Sequence, residues 1–220
     1  MPDALKLVSL PLFPLGTVLF PGGLLPLQIF EVRYLNMVGK AHKAGAPFGV
    51  VLLNQGQEVR RADPNGGPSG ATGAFAPEAF HTVGTLATIT TLSKPQAGLM
   101  VIQCLGTQRF TLTRKEQLRH GLWVGDVTCL APDTPVAIPA DLQPAADALG
   151  QVIQNLQQQN PGGNLPIQAP YQLGDCSWVA NRWCELLPIP PDLKQKLMAL
   201  DNPLVRLELV FDILQKTGIA

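Results

Sequence analysis

Apolar positions dominate the start of the chain, and the way they are interrupted says more than their number. From Leu10 to Tyr34 the sequence reads LPLFPLGTVLFPGGLLPLQIFEVRY, apolar enough in bulk to suggest a membrane span but broken by Pro11, Pro14, Pro21, Pro26, Gly16, Gly22 and Gly23. Each interior proline would remove a backbone donor and cost ~3 kcal/mol in a helix, so the run divides into extended pieces and turns. It predicts strands over Leu5–Leu10 and Leu24–Phe30. Glu31 then opens a helix over Val32–Ala44, where an acid complements the helix dipole. Leu35 and Val38 share one face of it, while Arg33, Asn36, Lys40 and Lys43 point away. Gly45 and Pro47 stop the helix, and Phe48–Leu53 is a short apolar run suited to a buried strand.

Asn54–Phe80 is rich in Gly, Ala and Pro and has neither period, which predicts a long loop. From Val83 the chain turns to Thr, Val, Ile and Leu, with strands expected near Val83–Leu92, Leu99–Cys104, Arg109–Leu118 and Leu122–Leu130. Turns are expected at Lys94–Gly98, at Leu105–Thr107 and around His120 and Gly121. Short strands joined by tight turns predict an antiparallel barrel or sandwich. Beyond a proline-containing linker at Ala131–Ile138 the period changes: Leu142, Ala146, Leu149, Ile153 and Leu156 recur at helical spacing. Asp175 and Asp192 are candidate caps for a second and a third helix, and Asn202 followed by Pro203 is a strong start signal for a fourth. The expected architecture is α+β in two parts: residues 1–133 β-rich, with the loop 54–80, and residues 134–220 a helical bundle.

Charge changes this picture little. Sixteen basic and sixteen acidic residues cancel, and only 15% of the chain is charged where about 25% is usual, so no global field recruits nucleic acid or an anionic membrane. No secretion signal and no transmembrane helix is read, and Cys104, Cys129, Cys176 and Cys184 form no metal-ligand spacing. Reduced, buried thiols in a cytoplasmic protein are expected.

Catalytic signals are absent at the level of motif. No GxxxxGK[ST] phosphate loop occurs, and His42, His81 and His120 stand apart from any ligand pattern. No metal site and no cofactor is expected. Arg109, Arg114, Lys115, Arg119 and His120 lie close together, opposed by Glu116 alone; they read as a charged hairpin edge, with phosphate contacts to RNA as the alternative.

Three features carry a family resemblance: LPLFPLGTVLFPG, then LQIFEVRYLNMV, then VGTLATI at Val83–Ile89 with LGTQRFTL at Leu105–Leu112. In this order and followed by a helical tail, they resemble the N-terminal substrate-binding domain of Lon-type ATP-dependent proteases along essentially the whole chain. Val32 is a departure, because that family often has proline after the acid of this motif. The resemblance implies a PUA-like β pseudo-barrel with the helix Val32–Ala44 packed on it, then a helical bundle. It implies a free-standing, non-catalytic module, without the ATPase and serine-lysine protease parts, that recognises exposed apolar segments of unfolded proteins and serves a protease or another protein partner. An RNA-binding PUA-like module and an enzyme with an unrecognised site are the alternatives. The Pro-stiffened run suggests where binding would occur. Phe13, Leu15, Phe20 and Pro21, with Tyr34 from the helix, are expected to border an apolar groove, against the competing expectation that they are simply core.

Overall fold

The structure is a computed structural model that describes residues 4–55, 79–163 and 165–219. Strands β1 (Lys6–Leu15) and β2 (Leu24–Ile29), helix α1 (Val32–Ala44) and strands β3 (Phe48–Gln55), β4 (Ala79–Gln96), β5 (Leu99–Gln117) and β6 (Trp123–Cys129) make the first part. Helices α2 (Gln143–Gln159), α3 (Cys176–Leu186), α4 (Pro191–Ala199) and α5 (Pro203–Thr217) make the second. The fold is therefore α+β, a barrel followed by a helical bundle.

The strand order is β2-β5-β4-β3-β1-β6, and β6 pairs back onto β5, closing a ring of β5, β4, β3, β1 and β6. All pairings are antiparallel except β1 with β3. β1 extends five residues further than the sequence suggests, through Pro11 and Pro14. Both prolines fit because each lies where β1 has one neighbour: Pro11 pairs with Val124 before the β3 ladder starts at Leu12, and Pro14 pairs with Val51 after the β6 ladder has ended. The turn expected at Leu105–Thr107 does not form, and β5 runs through it. Gly106 is the point where β5 exchanges one neighbour for another, since Met100–Leu105 pair with β2 and Phe110–Gln117 with β6. A Cβ at Gly106 would stand 2.2 Å from the Phe20 carbonyl oxygen, so this glycine serves close backbone approach instead of a turn.

β2 hangs on β5 by one ladder, and its other edge has no strand partner among the described residues. The Gly106 N–H donates to the Gly23 carbonyl at 2.8 Å, and alternation from there puts the imide nitrogen of Pro26 on that open edge. The expected loop at Asn54–Phe80 lies almost wholly outside the described residues; of its ends, Asn54 and Gln55 belong to β3 and Ala79 and Phe80 to β4.

Helix starts follow local chemistry. Asp175 accepts from the Trp178 N–H at 2.8 Å, and Asn202 accepts from the N–H groups of Leu204 and Val205. Asp192 is not a cap; it sits in the first turn of α4, which opens on Pro191 after Pro190. α3 packs chiefly on α5, and its Trp183 ring nitrogen donates to the Ala145 carbonyl of α2 at 2.9 Å. Val18, Phe20 and Leu52 from the barrel share one apolar cluster with Leu149, Val179, Trp183, Leu207 and Val210 from the helices, so the core is continuous across the change of architecture near Asp133.

A buried ion cluster fastens the two parts. Arg109 on β5 donates from Nη2 to Asp133 Oδ1 at 2.7 Å, and Arg206 on α5 donates from Nη1 to Asp133 Oδ2 at 2.6 Å. Arg109 Nη1 also donates to the Met198 and Leu200 carbonyls, and Arg206 to those of Leu197 and Leu200, so two arginines from elsewhere satisfy the carbonyls that α4 leaves open at its C-terminus. Burial alone would raise the Asp133 carboxyl, but hydrogen bonds from Arg206 and Ser177 and the charges of both arginines outweigh it and hold it below the ordinary carboxylate range.

Asp133→Asn leaves the buried Arg206 guanidinium without a carboxylate and Arg109 with only the exposed Asp201 at 3.3 Å, and chemical denaturation near neutral pH should show a loss of ~3–5 kcal/mol. A carboxyl depressed in the folded state stabilises above its ordinary pKa and loses that contribution as pH falls through the folded value. The gap between wild type and variant should therefore be constant at neutral pH and close below about pH 3.8. A constant gap down to pH 2 would contradict the assignment.

Candidate functional site

The short connection from β2 into α1 is built on a stack. The Phe13 and Tyr34 rings lie 3.9 Å apart and nearly parallel, and the Arg33 guanidinium covers the Tyr34 ring at 4.4 Å from its centroid. Arg33 is buried, contrary to the expectation that it points away. Its Nε donates to Glu31 Oε2 at 2.9 Å and its Nη1 to the Gly121 carbonyl at 2.8 Å, tying the start of α1 to the β5–β6 turn.

Of the five residues expected to border a groove, the structure gathers three and separates two. Phe13, Leu15 and Tyr34 share one cluster beneath α1, on the opposite face of β1 from Leu10 and Leu12. Phe20 faces the helices with no solvent exposure. Pro21 retains partial exposure, and its carbonyl accepts from Arg182 Nη2 at 2.9 Å, at the rim of a cleft between barrel and bundle. Phe13, Leu15, Phe20 and Tyr34 are all 6% exposed or less, so in this conformation they support a surface and do not form one.

The surface that Phe13, Leu15 and Tyr34 support lies on the outer side of α1. Phe30 is 53% and Val32 71% exposed, two of seven large apolar side chains left exposed among the described residues; Leu5 and Val8 at the start of the chain form another such pair. Val32, Leu35 and Gly39 follow one another along a single face of α1. Leu35 helps to line an open groove of about 390 Å³ whose other wall is the tip of the β4–β5 hairpin, Lys94 to Met100. A Cβ built on Gly39 would come within 3.9 Å of the Met100 methyl, which places the hairpin tip against the helix. Ile29 pairs with Met100, so Phe30 continues β2 past the last rung beside this wall. The sequence signal for the site was an apolar residue, Val32, on the same helix face as Asn36 and Lys43.

Elsewhere, burial raises the Glu185 carboxyl to about 7 although it pairs with Arg182 at 2.7 Å. Ser177 Oγ donates to Asp133 Oδ2, an acid already held by two arginines. Burial pushes the Cys104 and Cys184 thiols up to about 12, far from thiolate at neutral pH. Among the described residues no three His, Cys, Asp or Glu side chains converge as metal ligands, and no helix is long and apolar enough to cross a membrane. The basic hairpin is dispersed. Arg109 is buried, Arg114 pairs with Glu116 at 3.1 Å, and Lys115 lies over the Phe80 ring at 4.5 Å from its centroid.

Comparison with known proteins is consistent along the chain. The family model of the ATP-dependent protease La (LON) substrate-binding domain matches residues 9–216. A crystal structure of a Lon N-terminal domain protein from Xanthomonas campestris is 28% identical, covering 94% of this chain and 98% of that one, with a TM-score of 0.68. The N-terminal domain of a Mycobacterium avium complex Lon protease is 16% identical, covers 93% of this chain and 96% of its own, and superposes with a TM-score of 0.55, a likeness of fold. No curated protein matches.

Phe20→Ala measures the burial directly. Emptying a site with no solvent exposure between barrel and bundle should cost ~3–5 kcal/mol in denaturant unfolding. A nearly unchanged melting temperature would return Phe20 to the surface.

Proposed function

The chain belongs to the Lon substrate-binding domain family, and from that premise we propose that it is a non-catalytic polypeptide-binding module that recognises exposed apolar segments of protein substrates or partners. The observation that carries this reading is the pair Phe30 and Val32, held open to solvent beside the groove of α1 and the β4–β5 hairpin. Burying such side chains against a client is favourable by roughly 25 cal/mol per Å² of apolar area, and a surface fixed by the Phe13–Tyr34–Arg33 stack needs no ordering when the client docks. Of the five residues expected at the groove, Phe13, Leu15 and Tyr34 then serve binding indirectly, by holding that surface in shape, while Phe20 and Pro21 belong to the contact between barrel and bundle.

Val32→Asp tests it. The side chain is exposed at the first position of α1, where an acid suits the helix dipole, so the melting temperature should change little. Affinity for a permanently unfolded protein, such as a reduced and carboxymethylated one, should fall about tenfold or more in fluorescence anisotropy. Unchanged affinity in a folded variant would remove this surface from the reading.

A further inference from the structure

The groove has a charge signature that apolar recognition alone does not require. Lys94 forms part of its lining, and Lys43 follows Gly39 one turn later on the same face of α1. Neither ammonium has an acidic partner among the described residues, whereas Arg33, Arg109, Arg114, Arg182 and Arg206 are all paired with carboxylates. Among the described residues the elements that form the groove carry no acid: α1 and β2 have none, and the hairpin from Leu86 to Leu112 has none. Glu31, next to the groove in sequence, is bound by Arg33.

We propose, on the basis of the apolar-recognition reading above, that this groove selects extended client segments in which an aspartate or glutamate flanks the apolar residues. The apolar side chains lie against Leu35, Leu99 and Met100, and the carboxylate meets Lys94, with Lys43 further along the helix. The volume, about 390 Å³, lies in the range of small-ligand sites and admits side chains of a short segment. An exposed lysine at the rim is screened by salt, so the acid adds selectivity and a faster encounter more than it adds affinity.

The test uses three labelled peptides that share one apolar sequence and carry flanking glutamate, glutamine or lysine. On the wild-type chain the glutamate peptide should bind about two- to fivefold tighter than the glutamine peptide at low salt, the lysine peptide should bind weakest, and the differences should shrink as salt is added. Lys94→Glu combined with Lys43→Glu should reverse the order of the charged peptides and leave the glutamine peptide within about twofold of its wild-type affinity. Equal binding of the glutamate and glutamine peptides, or an acidic preference that survives the double reversal, overturns the charge proposal while leaving apolar recognition standing. If none of the three peptides binds, apolar recognition itself falls and the charge proposal with it. A groove occupied by a second copy of the chain would appear in sedimentation as a dimer lost on Val32→Asp, and that outcome too would overturn the proposal.

Discussion

Asp133 is the residue on which the assembly of barrel and bundle depends. Its carboxylate is shared between an arginine that arrives on a strand and one that arrives on the last helix, and both arginines also hold the carbonyls at the end of α4. Removing water from three charges is costly, and their attraction offsets that cost only when geometry and the remaining hydrogen bonds are well satisfied. Arg109 and Arg206 meet that condition by spending their other donors on backbone oxygens of one short helix. The cluster contributes position above all, because the strand β5, the linker and α5 can satisfy it in one relative arrangement.

A second arginine junction, smaller in scale, does the same for the candidate site. Arg33 closes the stack on Tyr34 and reaches the β5–β6 turn, which turns the start of α1 into a fixed platform. Rigid support beneath and open apolar side chains above divide two tasks between neighbours in sequence: Arg33 and Tyr34 face inward, and Phe30 and Val32 face outward.

Much of this was legible in the sequence. The bounds of α1 follow from Glu31 at one end and Gly45 with Pro47 at the other, and the starts of α3 and α5 from Asp175 and Asn202. What escaped were features that depend on tertiary neighbours. Gly106 looks like a turn residue unless one knows that the Phe20 carbonyl passes over it, and Pro11 and Pro14 end a strand unless each faces a side that carries no ladder. Arg206 was overlooked although it lies between Pro203, Leu207 and Val210 on the buried stripe of α5, where a charge signals a buried partner. The expected groove named apolar residues by their place in a motif, and four of the five are buried in the structure, while Val32 is exposed where the helical period says a polar residue belongs.

Pro26 bears on a hazard particular to this kind of protein. Under the proposed function the protein would offer extended chains a sheet whose β2 margin is open among the described residues, and a complete row of donors there would let a captured segment pair with the backbone, present a fresh margin of its own, and start a growing stack. With an imide nitrogen on that margin the row is interrupted at the middle of a six-residue strand. For the proposed activity, that interruption favours side-chain contacts, which are reversible, over backbone pairing, which propagates.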